Sequence, residues 1–495
     1  MRAFKALPQA GSDSQSPSAK KAPRVLSSEI QPLEWSKNQV NGLALDEHTQ
    51  MDLEIFESGC PGKSLYELCN FTRTGGGARI LKQRMELPFT EAKRIRATQD
   101  SIEHIRAHRD VFDKLPSYIT RGVENYQREV LMLVTQSGSL EFAIGSLSLK
   151  LNHDRHYHNI VRGVQLTCGL VQALRAYLGQ VGLTVPVGEL ALLCEEMNQL
   201  ISHPRLQQVP DKEIGSGWFW NVLRLDQIFR LHEKGVILRL MQLIYETDAL
   251  VSMADATIKY DYVMPELLAG PVQIQGEGLV HPHVEDAIPN GVHLDQQQRL
   301  LFLTGPNMAG KTTYLRAIAT ALYYAHLGMG VPAKYFKFVP VDSLFSSISL
   351  ADNLHTGVSY FRAEVLRIKA VANAIAAGKN VVAIMDEPFK GTNVKDAFDA
   401  SLAILKRLQA KENCLFMLSS HLIELEEQFE VHSNIIRCHF EAQEGSGQLQ
   451  FDYKMHPGIS RQRLGMRVLT EEGVFELLDQ LVDSEATTIT ADGLN

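Results

Sequence analysis

The chain has 495 residues, enough for two or three domains with separate cores, and its 45% apolar and 21% charged residues are ordinary for a soluble globular protein. Its formal net charge of −8 gives no overall attraction to nucleic acid, so DNA contact would require a local basic patch. The six cysteines contain no C-x-x-C pair, which argues against structural zinc or a disulfide framework and favours a reducing compartment.

Both ends of the chain are predicted to be disordered tails. Residues 1–30 are rich in Ser, Pro, Ala and Lys, and residues 483–495 are polar. An organelle-targeting peptide is the alternative for the basic N-terminal tail. We find no secretory signal and no apolar run long enough for a membrane span. We therefore expect a protein that is not secreted and has no membrane partner, either cytoplasmic and nucleoid-associated or, in a eukaryote, nuclear.

Residues 31–264 are predicted to be all-α, because apolar residues recur there at helical spacing. The residues Ser64–Glu67 have the composition of a helix-capping box. The stretch Thr72–Lys82, which contains Gly75–Gly77, is predicted to be a flexible break between two helices, since no strand precedes it. The helix expected from Glu91 carries many Lys and Arg residues; a solvated helix face and a DNA-binding patch both remain open for it.

Residues 265–482 are predicted to form an α/β domain, because short strands and turns replace the long helices. An apolar strand ending at Thr304 leads into a loop that fits the phosphate-loop pattern G-x-x-x-x-G-K-[ST]. Its two glycines allow backbone N–H groups to point at an anion, and the following helix adds its positive dipole end. This pattern predicts a site for a nucleoside triphosphate. The candidate nucleotide-binding residues are Gly305, Pro306, Asn307, Met308, Ala309, Gly310, Lys311, Thr312 and Thr313.

Carboxylates at the end of a second strand extend this predicted site. In the loop, Lys311 would reach the outer phosphates and the hydroxyl of Thr312 would bind Mg²⁺. Asn380–Glu387 is predicted to be a buried strand, and parallel α/β sheets bind ligands at the carboxyl ends of their strands. We expect Asp386 to lie near Mg²⁺ and Glu387 to lie near the attacking water.

Two further motifs supply the remaining catalytic candidates, His421 and Ser359. A third apolar strand, Cys414–Leu418, precedes His421, which could contact the γ-phosphate or orient water. Gly357 and Ser359 are predicted to open a helix, a second anion-binding N-terminus in the same domain. Because one loop already cradles the phosphates, this suggests a site completed across a dimer, as in ABC-type ATPases. An ordinary helix cap is the alternative.

Together these motifs resemble the MutS mismatch-repair ATPases, over roughly Leu43 to Leu477. The Pro-Asn-Met of the loop is unusual in other ATPases, and Gly-Thr after Asp-Glu and a G-x-S-x-F-x-x-E signature are also features of that family. The residues that carry the likeness outside the loop are Gly357, Ser359, Phe361, Glu364, Asp386, Glu387, Gly391, Thr392, Ser420 and His421.

The resemblance implies an all-α core and lever domain followed by an α/β phosphate-loop (ABC-type) ATPase domain. It implies a homodimer, or a heterodimer with another MutS-family subunit, in which Ser359 approaches the γ-phosphate held by the other subunit. ATP with Mg²⁺ would switch the dimer's grip on mismatched or branched duplex DNA. Full-length members carry an N-terminal mismatch-reading domain and a connector domain. Because the likeness begins at Leu43, we expect neither here.

Two other functions remain open. The same ATPase could act on RNA or ribosomes, or the chain could be an ATP-binding switch with little turnover. A transporter ATPase is disfavoured by the absence of apolar spans, and no nuclease signature is present.

Overall fold

The computed structural model describes residues 42–59, 64–135, 138–211, 219–348, 360–428, 434–445, 448–462, 464–475 and 477–478. All of them belong to a unit that runs from Asn41 to the C-terminus. Helices make up the first part and a mixture of strands and helices the second, which confirms the predicted order of an all-α region and an α/β region. No described helix has both the length and the apolar character that a membrane span requires.

Long helices form the first part because their apolar residues repeat every three or four positions and bury one stripe. The central helix α11 is buried along most of its 26 residues and packs against α3, α4 and α9. The described α-helices of this part are α1 Glu47–Asp52, α2 Leu65–Cys69, α3 Gly75–Glu86, α4 Ala92–Ala107, α5 Arg109–Phe112, α6 Thr120–Arg128, α7 Ser139–Asn152, α8 Asp154–Leu183, α9 Gly188–Ile201, α10 Phe219–Gln227 and α11 Lys234–Lys259.

The prediction of a flexible break at Thr72–Lys82 is wrong, because α3 begins at Gly75, with the three glycines in its first turn, and continues through Lys82. The side chain of Thr74 caps the helix by accepting a hydrogen bond from the Gly77 N–H at 2.8 Å. A Cβ at Gly76 would lie 2.3 Å from the ring of Tyr245 on α11. The glycines therefore allow α3 to approach α11 closely. By contrast, the predicted capping box is confirmed at Ser64, the N-cap of α2.

The described residues of the second part form three sheets. Six strands have the order β12-β9-β4-β8-β7-β6 and are parallel except for the edge strand β12. A four-stranded sheet has the order β1-β5-β2-β3, and β10 pairs with β11. The strands are β1 Glu266–Leu267, β2 Ile274–Leu279, β3 Asn290–Leu294, β4 Leu300–Thr304, β5 Tyr335–Phe338, β6 Ser343–Ser347, β7 Val381–Asp386, β8 Cys414–Ser419, β9 Ile435–His439, β10 Ala442–Gly445, β11 Gln448–Phe451 and β12 His456–Pro457. The helices are α12 Lys311–Leu327, α13 Tyr360–Ala376, α14 Val394–Leu408 and α15 Gly465–Glu471.

The three predicted apolar strands are the centre of the six-stranded sheet. β4, β7 and β8 are almost wholly buried, as continuous apolar runs in a parallel sheet require. β8 lies between β4 and β7, and its last residue, Ser419, is opposite both Leu303 and Asp386. The carboxyl ends of all three strands therefore meet at one edge of the sheet.

The first described segment, at the beginning of the helical part, also contacts this sheet. Ala44 forms a bridge with Ser343 at the start of β6, and the Asp52 carboxylate accepts hydrogen bonds from Ser346 Oγ at 2.8 Å and the Ile348 N–H at 2.7 Å. The beginning of the helical region thus packs directly on the edge strand β6. The domain division between residues 264 and 265 stays a prediction.

Candidate active site

The loop between β4 and α12 has the backbone that its glycines predict. Gly305 and Gly310 have φ of +136° and +100°, in the region that favours glycine. A Cβ at Gly305 would lie 2.5 Å from the carbonyl oxygen of Phe440, so a larger residue does not fit there. The helix α12 begins at Lys311, directly after Gly310. Its unpaired first N–H groups and its dipole give the loop a positive end.

Lys311 is a buried cation inside this loop. Its side chain is 5% exposed, and its Nζ donates to the carbonyl oxygens of Gly305 at 2.8 Å and Pro306 at 2.9 Å. Burial lowers the pKa of Lys311, and the carboxylates of Glu387 and Asp386 oppose that shift. An anion in the loop would compete for the same ammonium protons.

Thr312 and Asp386 form a pair of hard oxygen donors beside the loop. Thr312 Oγ1 donates to Asp386 Oδ2 at 2.6 Å. The other carboxylate oxygen, Asp386 Oδ1, is buried and has no hydrogen-bond partner among the described residues. Hydroxyl and carboxylate oxygens are the donors that Mg²⁺ prefers. The unpaired buried oxygen fits a cation at this position.

Glu387 directly follows β7, and each of its two carboxylate oxygens contacts another side chain. Its Oε1 lies 2.6 Å from His421 Nε2, and its Oε2 lies 2.8 Å from Lys390 Nζ. Burial would raise the pKa of Glu387, but the hydrogen bonds and charges of His421 and Lys390 outweigh it and lower that pKa to about 2. Glu387 is therefore an ionised carboxylate at neutral pH.

His421 joins this carboxylate to the loop. Its Nε2 lies 2.7 Å from Asn307 Oδ1 as well as 2.6 Å from Glu387 Oε1. One N–H can donate fully to only one of these oxygens, so the imidazole can move its hydrogen bond between the two. The sequence pattern predicted His421 at this edge of the sheet and did not predict the contact with Asn307.

Helix α13 positions the residues after Glu387, a role that the sequence analysis missed. The Glu364 carboxylate is 3% exposed and accepts hydrogen bonds from the N–H groups of Lys390 at 3.0 Å and Gly391 at 3.2 Å. The ring of Phe361 lies 5.9 Å from that of Phe389. The F-x-x-E spacing placed both side chains on one helix face and was the available signal.

The predicted second anion-binding helix start, with Gly357 and Ser359, lies outside the described residues, which resume at residue 360. Ser359 therefore has no observed position relative to the loop. Of the other catalytic and metal candidates, the structure brings Lys311, Thr312, Asp386, Glu387 and His421 together at one end of the six-stranded sheet.

A cavity of about 480 Å³ beside the loop has room for a nucleoside. Lys311 and Thr312 line it, as do Ile288, Phe440 and Tyr453. Tyr453 is an aromatic side chain that the sequence analysis did not assign to the site. A larger cavity of about 890 Å³ shares Asn307 and Met308 with it but does not include Lys311 or Thr312, so the smaller cavity is the candidate nucleotide site. The π-face of Tyr453 and the half-exposed Ile288 suit an aromatic base.

The molecule is thus a helical region followed by an α/β region. The α/β region has a glycine loop suited to an anion and paired carboxylates at the carboxyl edge of a parallel sheet. Comparison with protein-family models then gives the family. Residues 48–214 match MutS domain III, and residues 301–488 match MutS domain V. The chain belongs to the MutS family, which confirms the resemblance found in the sequence motifs. MutS domain V is the ATPase domain of that family, and MutS-family proteins bind DNA and function as dimers.

Proposed function

We propose that this chain is a DNA-dependent ATPase subunit of the MutS type, whose α/β region is a phosphate-loop ATPase domain of the ABC type. The observation that carries this proposal is the buried, unpaired oxygen of Asp386 beside Thr312, next to the ionised Glu387. A purely structural turn would not require two carboxylates and a buried lysine around one glycine loop.

The loop residues would hold the phosphates of ATP. The backbone N–H groups of the loop, which Pro306 lacks, and the ammonium of Lys311 would bind the β- and γ-phosphates. Lys311 would exchange its bonds to the Gly305 and Pro306 carbonyls for bonds to phosphate. Thr312 and Asp386 would hold Mg²⁺. When bound, Mg²⁺ supplies positive charge that offsets the charge of the phosphate oxygens.

Glu387 would orient the water for hydrolysis. A carboxylate with a pKa of about 2 is a weak base, so its contribution is to accept a hydrogen bond from the water and fix its position. Phosphoryl transfer through a loose transition state requires positioning more than proton abstraction, so a weak base suffices. The N–H of His421 would donate a hydrogen bond to Glu387, and Ser359 of a second subunit would complete the site.

We propose mismatched or branched duplex DNA as the partner, bound by a homodimer or by a heterodimer with another MutS-family subunit. Because the chain has a net charge of −8, its grip on DNA must come from local basic surfaces and should weaken steeply with salt. We place this activity where chromosomal DNA lies, in the nucleoid or the nucleus.

ATP hydrolysis by the purified protein with Mg²⁺ tests the catalytic part. We expect turnover that duplex or branched DNA stimulates, and we expect Glu387→Gln to lower turnover about 100-fold or more while ATP binding persists. The matched control is Glu412→Gln, an exposed glutamate just before β8 at the opposite end of the sheet. Equal turnover in Glu387→Gln and wild type would refute the assigned role of Glu387.

An ATP-binding switch with little turnover is the second candidate, because Lys390 and His421 already occupy both oxygens of Glu387. Negligible phosphate release from both wild type and Glu387→Gln, with nucleotide-dependent dimerisation intact, would favour it.

The partner is tested by filter binding to homoduplex, mismatched and branched DNA at several salt concentrations, with co-sedimentation of ribosomes as the contrast. Binding to ribosomes without binding to any DNA would assign the chain to RNA instead.

A further inference from the structure

Four polar side chains gather beside the edge strand of the six-stranded sheet, and the nucleotide site does not use them. They are His439, Glu441, Asp452 and His456, here called the β9–β12 cluster. His456 on β12 lies directly opposite His439 on β9 in the antiparallel pair. Opposite residues of an antiparallel pair project to the same face. Glu441 is two residues beyond His439, just after the end of β9. The strand pairing therefore directs the two imidazoles to one face, and the carboxylates of Glu441 and Asp452 lie beside them.

The distances in this cluster are those of a cation site. One ligand atom each from Glu441, Asp452 and His456 lies within 4.8 Å of the other two. His456 Nε2 is 2.7 Å from Asp452 Oδ2 and 4.0 Å from Glu441 Oε1. In a tetrahedral site with metal–ligand distances of about 2.0–2.1 Å, the ligand atoms lie about 3.3 Å apart. To reach that geometry, the distance from His456 Nε2 to Asp452 would lengthen and the distance to Glu441 would shorten, each by less than about 1 Å.

His439 lies next to these three, outside the group whose ligand atoms lie within 4.8 Å of one another, and is the candidate fourth ligand. Its Nε2 lies 3.8 Å from Glu441 Oε2, and its ring centroid lies 5.6 Å from that of His456. The other ring nitrogen, His439 Nδ1, is buried and has no hydrogen-bond partner among the described residues.

An ordinary His–Asp ion pair does not account for the cluster. His456 Nε2 carries one proton at most, yet two carboxylates, those of Asp452 and Glu441, face it. Two carboxylates held around one proton repel each other, and a divalent cation would remove that repulsion.

We propose that the β9–β12 cluster binds one transition-metal dication of the Zn²⁺ type. Two imidazole nitrogens and two carboxylate oxygens are suitable ligands for Zn²⁺, whereas Mg²⁺ prefers oxygen alone. The absence of cysteine pairs excluded only thiolate sites, and the spacing of these four residues matches no ligand motif along the sequence.

A metal here would stiffen one wall of the nucleotide cavity. Phe440 lies between His439 and Glu441, Tyr453 follows Asp452, and both aromatic residues line that cavity. The carbonyl of Phe440 is the group that a Cβ at Gly305 would meet at 2.5 Å, and a Cβ at Gly310 would lie 3.3 Å from Tyr453 Cδ1. Tyr453 also has a φ of +52°, which an L residue rarely adopts. Fixing the short strand β12 to β9 would hold that conformation.

Calorimetric titration of the full chain with Zn²⁺, without nucleotide and with excess Mg²⁺, tests the site independently of ATPase activity. We expect about one Zn²⁺ per wild-type chain. His456→Gln should weaken Zn²⁺ binding about tenfold or more, although its amide can still donate to Asp452. His293→Gln is the matched control and should bind as wild type does, because His293 also pairs with an aspartate, Asp295, at 3.2 Å but has no third ligand.

Replacement of Zn²⁺ by Co²⁺ identifies the ligands from the absorption spectrum. Nitrogen and oxygen ligation without a thiolate charge-transfer band is expected, and Asp452→Asn should abolish the signal if His456→Gln proves too unstable to purify. Absence of Zn²⁺ binding at micromolar concentrations, unchanged binding in both variants, or a thiolate band would each overturn the proposal.

Discussion

Together with His421, Lys390 lowers the basicity of Glu387. The Lys390 ammonium lies 2.8 Å from Glu387 Oε2. The backbone N–H of Lys390 donates a hydrogen bond to the Glu364 carboxylate. These contacts keep Glu387 ionised at neutral pH, which preserves its ability to accept a hydrogen bond from water but makes the carboxylate a weak base.

Replacing Lys390 with methionine should therefore move the pH dependence of ATP hydrolysis. Glu387 has a lowered pKa in the wild type, so the acidic limb of the rate profile lies at low pH. Loss of the neighbouring charge raises that pKa by about one unit, and the limb should shift to higher pH by a similar amount. The measurement is kcat against pH from pH 3 to 8, and at the acidic end of this range the variant should lose rate before the wild type does. Lys411→Met, an exposed lysine just before β8, is the control. A limb that stays in place would show that Lys390 does not act on Glu387.

The start of α3 shows how one element depends on glycine for packing. Besides Gly76 against Tyr245, a Cβ at Gly77 would lie 2.2 Å from a carboxylate oxygen of Asp248. That same Asp248 accepts hydrogen bonds from the Thr74 N–H at 2.9 Å and the Thr74 hydroxyl at 2.7 Å, so it cannot move without exposing buried donors.

Gly77→Ala should accordingly lower the free energy of unfolding by about 1–3 kcal/mol, as overpacking does. Gly75→Ala is the matched control in the same turn, since no atom lies within 4 Å of its added Cβ. Alanine there should be neutral or slightly stabilising, because it has the higher helix propensity. Denaturant unfolding of both variants measures the difference. Equal stabilities would show that α3 can shift away from α11.

Some of these elements could be predicted from the sequence, and others could not. The strands β4, β7 and β8 were predictable because each is an unbroken apolar run that ends in a recognisable polar motif. The helix start at the glycine run of α3 was not predictable, because a run of glycines occurs both in flexible loops and where two helices pack closely. Tyr453 could not be placed beside Gly310, since no local pattern connects residues so far apart in the chain. Lys390 could have been paired with Glu387 from its i, i+3 spacing.

At the scale of the whole molecule, His326 connects the helical region to the sheets. Its Nδ1–H donates to the Phe89 carbonyl at 2.6 Å, and its Nε2 accepts from the Val341 N–H at 3.3 Å. Burial lowers the pKa of His326 to about 4, and the Phe89 carbonyl and Asp342 oppose that shift. The side chain is thus neutral in the folded protein but titrates near 6.5 when unfolded.

The stability contributed by neutral His326 is complete above pH 6.5 and is lost as the pH falls toward 4. The loss should reach about 3 kcal/mol at pH 4, with further decline from other groups. Denaturant unfolding at several pH values should show a shallower decline over this window for His326→Gln than for wild type, despite lower stability at pH 7. His158→Gln, an exposed histidine, should follow wild type. Parallel curves for wild type and His326→Gln would contradict the assigned titration.

Glu54 forms a second connection, between the beginning of the helical region and the nucleotide cavity. Its carboxylate accepts a hydrogen bond from Ser58 Oγ at 2.8 Å and lies 3.7 Å from His283 Nδ1 and 3.9 Å from Arg316 Nη1. His283 belongs to the segment that lines the cavity, and Arg316 is on α12, which begins at the loop. The Glu54 side chain therefore contacts its own segment, the segment of His283 and helix α12. If nucleotide binding and DNA binding are coupled, these three parts must move together.

Glu54→Gln should weaken this coupling, because the amide keeps the shape but loses the charge that attracts Arg316 and His283. We expect basal ATP hydrolysis close to that of wild type and a several-fold smaller stimulation by DNA. The measurement is the ratio of turnover with and without saturating DNA at low salt. Glu57→Gln, an exposed glutamate in the same segment, should retain the wild-type ratio. A full DNA response in Glu54→Gln would show that coupling between DNA and the ATPase site does not depend on this carboxylate.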